Sequence, residues 1–328
     1  MNLRTKLIFG GLIAVTAVSI SWMLVNRSSD RLEASESTHQ PHQQSANEGG
    51  VAEVVAETKL NGLTGISGLK VASGETGLAQ AFAARRHSSM LQSLAKLDAE
   101  YALDSYDMVS YANHLCGVMS GGHQPASETY LDLYRLGVSK GLIEENSETE
   151  ASYRYVDSAR EAFCDLGVPS ESPQDAAAMS EQRRSEGARS RDFARLLELE
   201  KEFMVDGSDG PVEGMAKILA STSSPSVFKE AADMLVETGW IPPGYKVPGF
   251  AHREQQQMIA GLGNFLAYCA LIPNGCGAGS LLTLRACMPS HCRPGESLQQ
   301  FFARNFTPDE FSAAQSYANA LLAMRWRR

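Results

Sequence analysis

The sequence predicts an all-α body, stapled by disulfides and preceded by a single membrane-spanning helix. From Leu78 onward apolar side chains recur at helical spacing, with too few alternating β-branched runs to build a sheet. An uncharged apolar run, Leu7 to Val25, stands at the N-terminus. All six cysteines lie at or beyond Cys116, an even number in a chain with an export segment, which favours disulfides and an oxidising compartment.

The apolar run is 19 residues long and follows Arg4 and Lys6. As a helix it spans about 28 Å, close to the hydrocarbon thickness of a bilayer. Trp22 stands near its outer end, where an indole favours the headgroup region. Cleavage would need a small-x-small site. Ser19-Ile20-Ser21 fits poorly, because Met23, Leu24 and Val25 continue the run beyond it. The expectation is therefore an uncleaved signal-anchor over residues 1–25, with a cleaved, periplasmic or secreted form as the alternative. Arg4 and Lys6, set against Arg27, Arg31 and Asp30, weigh towards a cytoplasmic N-terminus. The oxidisable cysteines then lie beyond the inner membrane, in a single-pass protein whose C-terminal domain faces the periplasm.

Residues 26–58 are rich in Ser, Gln, Glu, His and Asn and cannot bury enough surface to offset their ordering entropy, so they read as a disordered tether. Residues 59–77, punctuated by glycine, read as an irregular lead-in, and residues 78–328 as the exported all-α domain. The formal charge is −9, and removing residues 1–31 takes away four cations and one acid to leave −12. That sign opposes nucleic acid and anionic lipid as partners. The doublets Arg85-Arg86 and Arg183-Arg184 read as solvated helix faces, and Arg325-Trp326-Arg327-Arg328 as an exposed basic terminus.

Within the body one apolar stripe runs from Leu78 through Phe82, Met90 and Leu94 to Leu97. A helix over 104–119 presents Tyr106, Val109, Ala112, Cys116 and Met119. Helices over 127–142 and 147–166 follow, the second opened by Ser147 with Glu150 three residues on. Residues 173–205 read as one long charged helix. Asp206-Gly207-Ser208-Asp209-Gly210 resembles the start of a calcium loop, but Lys217 occupies the position that needs a glutamate, so a turn is expected. Pro211–Ser221 and Pro225–Gly239 form a helical hairpin, each opened by proline, although no second copy recurs at a fixed period. Helices over 254–272, 279–288, 296–305 and 308–325 complete an irregular array of helical hairpins.

Cys269, Cys276, Cys287 and Cys292 are separated by six, ten and four residues, which does not match the short Cys-x2-4-Cys knuckles of structural zinc. Cys276 and Cys287 stand about 15 Å apart along the intervening helix, beyond disulfide reach. Two pairings remain open: 269–276 with 287–292, or 269–287 with 276–292. Cys116 and Cys164 pair by elimination, closing a loop of 49 residues. Such a loop stabilises by roughly 4 kcal/mol in the chain-entropy account. That bond would pack helix 104–119 against helix 147–166.

Sites of chemistry are sparse. His114 and His123 flank Cys116 and the Ser120-Gly121-Gly122 stretch, yet no Gly-x-Ser-x-Gly elbow exists, and Cys116 as nucleophile would require an unpaired Cys164. No zincin motif or phosphate loop is present, and no catalytic, metal or cofactor-binding residue is singled out. A carboxylate pair is the remaining route to an enzyme, with Glu144, Glu145, Glu161, Asp165 and Glu254 available.

The segment YCALIPNGCGAGS, then RACMPSHC, then ESLQQFFARNFTPDEFSAAQSYANALL resembles a group of all-helical exported envelope proteins of xanthomonad-type bacteria, over residues 255–323. In that group a Cys-x6-Cys and Cys-x4-Cys unit also precedes a terminal helix pair. The resemblance implies an envelope location and brings no activity and no site residues. The expected function is a membrane-tethered, periplasm-facing module that binds an envelope protein or cell-wall component. The alternative is a peptidoglycan-directed or other glycan hydrolase.

Overall fold

The structure, a computed structural model, describes residues 73–117, 129–142, 144–166, 176–249, 252–272, 274–287 and 292–325. The expected anchor, the tether, most of the lead-in, His123 and the last three residues lie outside the described residues, as do the side chain of His114 and His291. Among the described residues there is no strand, and no helix is long and apolar enough to cross a membrane. The chain is all-α.

Its helices run in order α1 (Ser73–Ala83), α2 (His87–Leu94), α3 (Ala102–Gly117), α4 (Tyr130–Ser139), α5 (Ser147–Phe163), α6 (Ala176–Gly187) and α7 (Arg191–Asp206). There follow α8 (Asp209–Ser221), α9 (Pro225–Glu237), α10 (Arg253–Leu271), α11 (Leu281–Cys287), α12 (Leu298–Asn305) and α13 (Pro308–Arg325). The expected lead-in is thus helical from Ser73, and the stripe from Leu78 to Leu97 is two helices, α1 and α2.

Local chemistry places most of the boundaries. Asn146, one residue before the expected cap, accepts from the backbone N–H groups of Glu148 and Thr149 and opens α5. Ser224 caps α9 ahead of Pro225, and Gly239 follows the helix at φ 79°, a left-handed position that glycine adopts without strain. Ser297 with Gln300 and Thr307 with Glu310 form reciprocal capping boxes at α12 and α13. The turn expected over Asp206–Gly210 narrows to Gly207-Ser208, with Gly207 at φ 61° closing α7 and α8 already open at Asp209. The long helix expected over 173–205 breaks instead into α6 and α7. Ser190 caps α7 by accepting from Phe193 N–H, and the fully buried Phe193 ring folds back against Gly187. A Cβ on Gly187 would lie 2.6 Å from that ring and 2.8 Å from Leu103, so only glycine admits the approach.

The helices pack as neighbouring pairs: α1 on α2, α4 on α5, α7 on α8, α8 on α9, α9 on α10. α10 also runs along α13, and α3 packs on α6 and α9. One continuous core joins them, with Phe193, Phe228, Phe301, Met108 and Leu235 sealed from solvent. Fully burying each such side chain contributes on the order of 1.5–3 kcal/mol. The apolar face expected on helix 104–119 is displaced: Leu103, Met108, Ala112 and Leu115 fill the core, whereas Tyr106 and Val109 are half-buried.

Cys116 and Cys164 are at disulfide distance, with Cα atoms 5.7 Å apart. The bond joins the C-terminal ends of α3 and α5, while α11 packs against both, so the bridged helices meet at their ends rather than along a shared face. Cys269 and Cys276 are likewise at bonding distance, with Cα atoms 5.6 Å apart, which selects the first of the two pairings open from the sequence. Cys292 is also disulfide-bonded; that pairing assigns it to Cys287, whose side chain lies outside the described residues.

Candidate functional site: a charged seam between helices

Helical spacing brings one set of polar residues together. On α3, Asp104, Asp107 and Tyr111 stand at i, i+3 and i+7, and on α9, Ser226, Lys229, Glu230 and Asp233 repeat that pattern. These stripes face each other across the α3–α9 contact, joined by Arg183 from α6, Asn264 and Tyr268 from α10, and Arg285 from α11.

The floor of the seam is dry. Asp104 has no solvent exposure. Its carboxyl accepts from Ser224 Oγ at 2.5 Å and from Ser226 N–H at 2.8 Å. Ser224 in turn accepts from Val227 N–H at 3.1 Å, so Asp104 extends the cap of α9 from a distant helix. Burial raises the Asp104 carboxyl to about 7, against the pull of the two serines and with a small addition from Asp107. Tyr268, buried beside it, is held well above the ordinary phenol range, chiefly by desolvation. Asn264 Oδ1 is buried there without a hydrogen-bond partner.

Above this floor the charges, a buried Asp107 and half-buried partners, are mostly matched. Arg183 donates from Nε to Asp107 Oδ1 at 2.7 Å and from Nη2 to Oδ2 at 3.2 Å, a bidentate fork, and reaches Glu230 at 2.9 Å. Burial works against the Arg183 and Glu230 charges, yet the attraction of Asp107 and Glu230 keeps Arg183 raised, and Arg183 keeps the Glu230 carboxyl below its ordinary value. Lys229 pairs with Asp233 at 2.6 Å, whose other oxygen accepts from Asn264 at 2.8 Å. Arg184 closes the row on Glu200 at 3.2 Å. The doublet Arg183-Arg184, expected on a solvated face, therefore belongs to the packed interface, with side-chain exposures of 23% and 30%.

Arg285 is the exception. Its guanidinium carbon lies 3.7 Å from the centroid of the Tyr111 ring, a cation–π contact. Among the described residues it makes no hydrogen bond or ion pair.

The acids available from the sequence lie elsewhere. Glu144 and Glu145 are exposed between α4 and α5, Glu161 is exposed on α5, and Glu254 is exposed at the start of α10. Asp165 is exposed and accepts from Ser88 N–H at 2.9 Å and Ser88 Oγ at 2.5 Å, bonds that hold its carboxyl below the usual range and unsuited to donating a proton. Cys116 is committed to its disulfide. Among the described residues no group of three or more His, Cys, Asp or Glu is placed to hold a metal ion.

No family model, no curated protein and no solved structure matches this chain.

Proposed function

We propose that the chain is a membrane-tethered, periplasm-facing array of helical hairpins that works by binding an envelope protein or a cell-wall component. The anchor is the Leu7–Val25 run, and the oxidised cysteines support a compartment outside the cytosol. The observation that carries binding over hydrolysis is the state of the seam. Its acids are ion-paired or sealed from solvent, while the Arg285 guanidinium is left uncommitted on Tyr111. Such an arrangement holds a ligand and offers no exposed carboxylate pair to cut one.

One observation favours the hydrolase reading: Asp104 holds a proton near neutral pH, as a general acid must. Its lack of exposure sets it beyond the reach of a polymeric glycan. The two readings separate in one experiment. Purified cell wall is incubated with the oxidised full-length protein, beside capture from crosslinked envelope. Retention without release of soluble fragments supports the binding reading. Fragment release that Asp104→Asn abolishes replaces it with the hydrolase.

A further inference from the structure

The two other cations around Tyr111, Arg183 and Lys229, are each matched by carboxylates, whereas Arg285 has none among the described residues. The residue is half-buried, yet none of its nitrogens is a buried atom without a partner, so its N–H groups remain open to solvent and can exchange water for a ligand acceptor. The Tyr111 ring covers one face of the group and satisfies none of its five N–H donors, which point outward along the edges of the plane.

The element carrying Arg285 is held from several sides. Thr283 Oγ1 donates to Gly277 O at 2.9 Å, Ser280 Oγ donates to Thr283 Oγ1 at 3.0 Å, and Leu298 N–H donates to Cys276 O at 3.1 Å. The Cys269–Cys276 bond closes the loop before α11, and the oxidised Cys292 follows it. Arg285 is thus a pre-oriented fork, and pre-orientation lowers the ordering cost of binding.

We propose that Arg285, stacked on Tyr111, is a subsite for a carboxylate on the ligand. A planar carboxylate matches the guanidinium edge with two parallel hydrogen bonds. Asp107 and Glu230 stand in the same seam, so a dianion such as phosphate meets more repulsion than a single carboxylate does. Cell-wall material offers this group from two sources, the lactyl carboxylate of a muramyl sugar stripped of its stem peptide and the free C-terminal end of a stem peptide. The assignment rests on the binding reading above and specifies its chemistry.

The test is calorimetric titration of the oxidised full-length protein in detergent at low salt. The probes are N-acetylmuramic acid and N-acetyl-D-alanyl-D-alanine, with neutral N-acetylglucosamine and inorganic phosphate as controls. At least one carboxylate probe should bind, and whichever does identifies the source. Arg285→Gln should weaken it by roughly tenfold or more. Arg285→Lys keeps the charge without the fork and should weaken it several-fold, and it decides the matter if Arg285→Gln fails to fold. Equal binding of the neutral sugar, tighter binding of phosphate, or wild-type affinity in both Arg285 variants overturns the subsite. Carboxylate binding without retention on cell wall or envelope protein upholds the subsite and removes only the proposed partner class.

Discussion

Asp104 and His87 are both sealed in the body, and their titrations act on stability in opposite directions. The Asp104 carboxyl, raised to about 7 by burial, keeps its proton in the fold at pH values where the unfolded chain has released it. Its contribution is complete below the unfolded carboxylate value and is lost as pH rises through about 7, by up to about 4 kcal/mol. Asp104→Asn keeps an acceptor for Ser226 N–H and removes the ionisation. Urea unfolding should show it more stable than wild type at pH 8 and little changed at pH 4. His87 is 5% exposed, stacks on Phe163 at 5.9 Å, and has no partner for either ring nitrogen. Burial lowers its value, with Asp165 opposing weakly, so the fold keeps it neutral. Its contribution is present above the unfolded histidine value and is lost as pH falls below it. His87→Phe retains a ring against Phe163 and should reduce the loss of stability between pH 7 and 5.

At the scale of the helices, the α10–α13 crossing depends on one missing side chain. A Cβ on Gly263 would lie 2.7 Å from the Tyr317 ring and 3.0 Å from the Ala314 carbonyl. Alanine gains up to about 1 kcal/mol in helix propensity. Tyr317 cannot move aside to admit it, being 3% exposed and packed edge-on against Tyr245 at 4.9 Å. Overpacking of about 1–3 kcal/mol should therefore prevail, and Gly263→Ala should lower the thermal midpoint. Most of the α8–α13 boundaries were legible in the sequence, because Ser, Thr, Pro and Gly stand where caps and stops require them. The breaks at Ala84-Arg85-Arg86 and Ala188-Arg189-Ser190 were not, since neither contains a strong breaker and the second depends on Phe193 folding back over Gly187. The seam was hidden for a related reason. Aspartates on a helix ordinarily mark its wet face, yet Asp104 turns inward to the start of α9 and Asp107 to Arg183. Asp157 does the same on α5, accepting from Tyr130 and Leu131 N–H at 2.9 and 2.8 Å to cap α4. The i, i+3, i+7 register of Asp104, Asp107 and Tyr111, matched on α9, was the available signal.

For the molecule as a whole, the Cys116–Cys164 bond joins the ends of α3 and α5 around the α11 wedge. Replacing both cysteines with serine should cost roughly 4 kcal/mol by the loop-closure account, read as a fall in the urea midpoint with the slope altered by the freer denatured chain. Intact mass of the purified, non-reduced protein, alkylated before and after reduction, should reveal no alkylatable thiols until reductant is added.

The short helix α11 has a consequence of its own. Seven residues cannot sustain a helix unaided, so its place depends on neighbours and on covalent closure on its two flanks. A copy stranded in the cytosol, with its thiols kept reduced, would lack the closures that fix Arg285 over Tyr111. On the proposed reading, capture of the ligand is then enabled by translocation itself, and a nascent molecule cannot be occupied by cytosolic wall precursors on its way out.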